Sequence, residues 1–158
     1  MFMTDLLRLG IYDLIFVFSA AIFNLSIIGV YISSKNQRFD LTRKFGSFTI
    51  ALAIPLAAVY IHYWTTGKES WMLLAMGAIF LYLFVELLLD FILKIDFRKM
   101  LVAHILYIVL FYIALFSFIR ISFAIHETWG YIVSVLFWIL LASLIYSLRG
   151  SKTKEAGT

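Results

Sequence analysis

Cysteine is absent from this chain of 158 residues. Its absence excludes disulfides, thiolate nucleophiles, and zinc or iron–sulfur centres that need cysteine ligands. Four common catalytic and nucleotide-binding patterns are missing too: G-x-S-x-G, H-E-x-x-H, the P-loop and G-x-G-x-x-G. The sequence therefore predicts no cofactor and no metal, and any chemistry must come from isolated polar residues.

Charged residues are also scarce. They make up 14% of the chain, against about 25% in a typical soluble domain. Hydrophobic residues reach 64%, and a chain this short has too little interior to bury them all. The composition predicts an integral membrane protein whose first partner is the lipid bilayer. We expect no nucleic-acid partner despite the net charge of +4, because the basic residues form a topology signal instead.

Five apolar runs fill most of the chain, and each reaches the roughly 20 residues that a spanning helix needs. The predicted spans are residues 11–33, 47–66, 71–93, 100–122 and 129–148. Open strands cannot cross lipid because their backbone groups would stay unpaired. The predicted fold class is therefore all-α, a polytopic bundle of five transmembrane helices. Residues 1–148 form a single domain, and 149–158 form a short polar tail.

The basic residues predict the orientation of this bundle. Ten of the thirteen Lys and Arg residues lie in links 34–46 and 94–99 and in the tail, which five spans place on one side. Basic residues that flank spans stay in the cytoplasm. We therefore expect the N-terminus outside and the C-terminus in the cytoplasm. The expected location is a plasma or inner membrane.

Glu86 is the most informative single residue, because it lies inside the third apolar run. A carboxylate near the bilayer centre costs about 2.5–3.5 kcal/mol on insertion and faces the bundle interior. Tyr82, Asp90 and Lys94 follow the same four-residue spacing and share its helix face. This pattern predicts a proton, cation or substrate site. The alternative is a neutral Glu86 that ties two helices together by a hydrogen bond.

Three residues in other spans could complete that site. Asn24 lies near the middle of the first span, where it could meet Glu86 or serve only as a helix contact. His104 is level with Asp90, so the two could continue a proton relay toward the cytoplasm. A metal site of Glu86, Asp90 and His104 has no spacing signature. Pro55 could bend the second span and widen a cavity beside Glu86, or form an inert bend.

Arg120 lies about 13 Å on the outer side of the midplane, too far in depth to reach Glu86. We expect it to snorkel outward or to pair with an acidic residue at the outer end. The candidates are Asp13, Glu69 and Glu127. A second interpretation is an outer anion-binding vestibule formed by Arg120, His62 and His126.

Three functions remain open at this point. The first is a small transporter, channel or ligand-binding protein that uses Glu86. The second is a structural or regulatory subunit of a larger membrane complex. The third is a lipid-modifying membrane enzyme with Glu86, Asp90 and His104 as acid–base groups. Because five helices enclose little volume, a conducting path would need a homo-oligomer.

Overall fold

The computed structural model describes residues 10–93 and 101–155, whose regular secondary structure is all helical, with short turns between the helices. The helices are α1 Ile11–Lys35, α2 Phe39–Ala51, α3 Ala53–Thr65, α4 Ser70–Glu86, a π-helical segment Leu87–Leu93, α5 Leu101–Ile125 and α6 Glu127–Glu155. With α2 and α3 taken as one span, five helices are long and apolar enough to cross a membrane. The prediction of an all-helical chain with five such segments is confirmed. Link 94–99 lies outside the described residues.

The second span begins earlier than its apolar run. Helix α2 starts at Phe39, inside the predicted link 34–46, so Arg43 and Lys44 are helical. A tight turn at Gln37, with a positive φ of 57°, joins α1 to α2. There the Arg38 N–H donates to the Ser33 carbonyl at 3.0 Å, which closes the end of α1. Hydropathy does not mark this helix start, because exposed basic side chains let a helix extend beyond its apolar part.

The same span is interrupted at Leu52, which separates α2 from α3. Pro55 explains the interruption, because it has no N–H to donate and its ring crowds the carbonyl four residues earlier. That carbonyl belongs to Ala51, the last residue of α2. The proline therefore accounts for a break in the α-helical winding one turn before it.

Helix α1 lies among the other spans and packs against α2, α3, α5 and α6, whereas α4 packs mainly against α5. Its start meets the end of α3, where the Tyr63 hydroxyl donates to Asp13 Oδ1 at 2.6 Å. Its end meets the later part of α6, where Lys35 Nζ donates to the Tyr146 carbonyl at 3.1 Å. These contacts place α1 antiparallel to α3 and parallel to α6.

Aromatic side chains fill the bundle interior. Phe16 and Phe23 of α1 pack against Phe118 of α5, with ring centroids 5.7 and 4.9 Å away, and all three are fully buried.

At the junction of α5 and α6, one ring packs so closely against the backbone that only glycine fits. A Cβ at Gly130 would lie 2.3 Å from the Phe123 ring, so Gly130 allows the close approach of α5 and α6 there.

Candidate functional site

Glu86 is the last residue of α4. Its side chain is only 7% exposed, so it faces neighbouring helices rather than lipid. Tyr82 lies one turn earlier on the same face and is 1% exposed. The surrounding helix is almost entirely apolar because it must match the bilayer. The four-residue spacing thus brings two polar side chains together inside an otherwise dry bundle.

Two phenols converge on one oxygen of Glu86. The Tyr82 hydroxyl donates to Glu86 Oε2 at 2.8 Å. The Tyr107 hydroxyl, from α5, donates to the same oxygen. The two hydroxyl oxygens are themselves 3.2 Å apart. We call Glu86, Tyr82 and Tyr107 the carboxylate triad; it joins two helices through three mutual oxygen contacts.

Aromatic packing positions the triad. The Tyr82 ring has Phe23 of α1 on one side, with centroids 5.8 Å apart, and Phe111 of α5 at 5.4 Å. Phe111 follows Tyr107 by one helical turn, so a single face of α5 supplies both a hydrogen-bond donor and part of the apolar wall. In such dry surroundings a hydrogen bond is electrostatically stronger than in water.

The number of hydrogens in the triad decides what it can do. Three oxygen–oxygen contacts are present, whereas the two phenols bring only two hydrogens. With Glu86 ionised, both phenols donate to the carboxylate and no hydrogen lies between them. With Glu86 protonated, the added hydrogen allows each contact to hold one. The triad geometry is therefore compatible with either protonation state of Glu86, since rotation of the hydroxyl groups redistributes the hydrogens.

Other predicted site residues lie on these same spans. Asn24 is 1% exposed, but its Nδ2 donates to the Ala20 carbonyl of its own helix at 2.9 Å rather than to Glu86. His104 is half-buried one turn before Tyr107 on α5. Asp90 lies in the π-helical segment, and its side chain is outside the described part of the chain. Within that part, no three His, Cys, Asp or Glu residues are grouped to hold a metal ion.

The π-helical segment begins immediately after Glu86. The sequence predicted a regular α-helix through residue 93, and its apolar pattern carries no signal for this change. Segments of π-helix inside membrane or soluble helices occur frequently at functional sites, where they alter which backbone groups are paired. Here the change from α-helix to π-helix comes directly after Glu86, the residue that carries the buried carboxylate.

The outer residues have separate partners. The Arg120 guanidinium lies over the Trp71 ring, 4.8 Å from its centroid, and the Trp71 indole N–H donates to Glu69. His62 stacks on Tyr12 with centroids 3.9 Å apart. His126 Nδ1 accepts the backbone N–H of Thr128 at the start of α6. These contacts do not join Arg120, His62 and His126 into one vestibule.

Arg120 also forms no ion pair with the acidic residues proposed for it. Asp13 instead accepts the Tyr63 hydroxyl and lies 4.0 Å from Lys68 Nζ, and Glu127 accepts the Tyr131 hydroxyl. Of the two alternatives expected for Arg120, snorkelling and pairing with an acid, neither named Trp71, although a tryptophan face at the interface also attracts a guanidinium.

Tyr107 is the site residue that the sequence interpretation missed. The one sequence feature that could have identified it is its depth in the membrane. The helical rise places both Glu86 and Tyr107 about 6 Å from the midplane of their spans. Tyrosine is common in this chain, which contains nine, so the residue type alone did not single it out.

Comparisons with protein-family models, curated proteins and solved structures give no match for this chain. The site is therefore interpreted from its own geometry.

Proposed function

We propose that this chain is a small transport or ligand-binding membrane protein in which Glu86 is a proton site. The observation that carries the proposal is a 7% exposed carboxylate hydrogen-bonded by phenols from two helices. Intramembrane ionisable residues typically mark proton, ion or substrate pathways, because lipid makes them expensive to keep. A cation or a hydroxylated ligand could exchange at the same oxygens.

The orientation that we propose puts the N-terminus outside and the C-terminus in the cytoplasm. Lys35 and Tyr146 are in contact, so the basic end of α1 lies beside the later part of α6. That juxtaposition supports one strongly basic end of the bundle, which belongs in the cytoplasm. Glu86 then lies on the cytoplasmic side of the midplane, where His104 and Asp90 would connect it to the cytosol.

A structural role is the second candidate, because the same triad also ties α4 to α5. In that case the chain would be a subunit of a larger membrane complex, and Glu86 would stay permanently bonded. The lipid-enzyme interpretation is the weakest of the three, because no phosphate-binding motif accompanies the acid–base residues. The first two candidates differ in one measurable respect, which is whether Glu86 exchanges its proton.

Proton flux into liposomes tests the proposal. Wild type and Glu86→Gln would be reconstituted at equal density, and uptake followed with a dye trapped inside the vesicles. We expect Glu86→Gln to lose proton flux or proton-coupled solute uptake. Glu127→Gln is the matched control, because Glu127 is an exposed residue that also accepts a tyrosine hydroxyl, that of Tyr131. Equal flux from wild type and Glu86→Gln would contradict the proposal.

A further inference from the structure

One face of α2 lines an open concavity of about 610 Å³. Its lining residues are Asp40, Arg43, Lys44, Ser47, Phe48 and Ala51. They recur at spacings of three and four, so they form a single stripe along the helix. We call this set the α2 stripe.

The α2 stripe changes polarity along its length. Its first part is charged, with Asp40, Arg43 and Lys44, and its last part is apolar, with Phe48 and Ala51. Eleven residues separate its two ends, a distance of about 16 Å along the helix axis. The charged part lies at the basic end of the span, and the apolar part lies deeper along it. A phospholipid in the adjoining leaflet has the same order, with its headgroup at the surface and its acyl chains deeper.

The charge of the stripe selects the headgroup. Arg43 and Lys44 are exposed, and no described carboxylate forms an ion pair with either. Arg38 is exposed nearby, whereas Lys35 is held by Tyr146. Clusters of basic residues next to a membrane span attract anionic lipid headgroups, and an unpaired guanidinium binds phosphate well.

We propose that the α2 stripe binds an anionic phospholipid. The phosphate lies against Arg43 and Lys44, and an acyl chain runs along Phe48 and over Ala51. A free phosphate would use only the charged part, whereas a lipid without net negative charge would leave the net positive charge of Asp40, Arg43 and Lys44 uncompensated. This site is separate from the carboxylate triad and does not depend on its function.

Native mass spectrometry of the detergent-solubilised full chain tests this site. The protein would be titrated with phosphatidylglycerol and, separately, with phosphatidylcholine. We expect tighter binding of phosphatidylglycerol. The double variant Arg43→Gln/Lys44→Gln should bind it roughly 25-fold more weakly, since each basic residue near a membrane surface contributes about a fivefold factor. Lys152→Gln/Lys154→Gln removes the same charge elsewhere and should stay within about twofold of wild type.

Two further arms separate lipid from phosphate. Ala51→Trp fills the apolar end of the stripe without changing charge; Ala51 is exposed, so the variant should fold, and we expect it to lose phosphatidylglycerol binding. Soluble glycerol phosphate should compete poorly with the lipid. The proposal is wrong if both double variants weaken binding equally, if Ala51→Trp binds like wild type, or if glycerol phosphate competes as well as the lipid.

Discussion

Removing the Tyr82 hydroxyl should destabilise the bundle measurably. In Tyr82→Phe the ring still packs against Phe23 and Phe111, so the change is confined to the contacts of its hydroxyl with Glu86 and with Tyr107. Tyr82 is 1% exposed, and water cannot easily replace the lost donor. Interhelical hydrogen bonds in membranes contribute about 1–2 kcal/mol in peptides and about 0.6 kcal/mol on average in a folded protein. Tyr107 still donates to the same oxygen, so Glu86 keeps one partner and we expect a loss of about 1 kcal/mol.

A double-mutant cycle isolates this bond from other effects of the substitution. Tyr82→Phe and Glu86→Ala, which removes the acceptor, would be measured singly and together, by denaturant titration in micelles followed by tryptophan fluorescence. We expect a coupling free energy of about 1 kcal/mol, within the usual range for residues in direct contact.

The matched cycle uses Tyr131→Phe and Glu127→Ala. This pair has the same residue types, the same spacing of four and a 3.1 Å hydrogen bond, but both side chains are exposed. Its coupling should stay below about 0.5 kcal/mol, as for other exposed pairs on one helix. Equal coupling in the two cycles would refute the idea that burial strengthens the triad.

Three other substitutions test the turns and the closest helix contact, each by thermal denaturation in one detergent. Gln37→Gly should raise stability by about 0.5–1 kcal/mol, because glycine adopts the positive φ of 57° without strain; a loss of stability would contradict this account of the turn. Gly67→Ala should lower stability by about 1 kcal/mol through its φ of 67°, since no atom lies within 4 Å of an added Cβ, and an unchanged melting temperature would count against it. Gly130→Ala should cost about 1–3 kcal/mol, because its Cβ would meet the Phe123 ring; Phe123→Ala should restore most of that loss, and no restoration would disprove the clash.

The sequence predicted the helical class and the number of spans well, because lipid imposes a strict length and composition on each crossing. It predicted helix ends less well. Phe39 begins a helix although four basic residues lie nearby, and the π-helical winding after Glu86 leaves no trace in hydropathy. Both features depend on tertiary packing and on interfacial side chains rather than on the apolar run itself.

For the candidate site, the sequence identified the pair on one helix but missed the partner on another. Tyr82 and Glu86 followed from a spacing of four within one span. The contact between Tyr107 and Glu86 depends on how α5 is rotated about its axis relative to α4. Equal depth in the membrane narrows the set of candidate partners for Glu86 but does not identify one. For Asn24 the sequence left two alternatives open, and its Nδ2 donates to the Ala20 carbonyl of its own helix; equal depth does not by itself place two side chains on facing surfaces.

The most direct test of the central claim is infrared difference spectroscopy of the membrane-embedded protein during a pH titration. We expect one carboxyl band that appears and disappears reversibly with pH. This band should be absent from Glu86→Gln and persist in Glu127→Gln. In Tyr107→Phe its frequency should shift, because Glu86 loses a hydrogen-bond donor. If no titrating band between about pH 4 and pH 10 depends on Glu86, the residue holds its proton state permanently. The triad would then be a structural tie rather than a proton site.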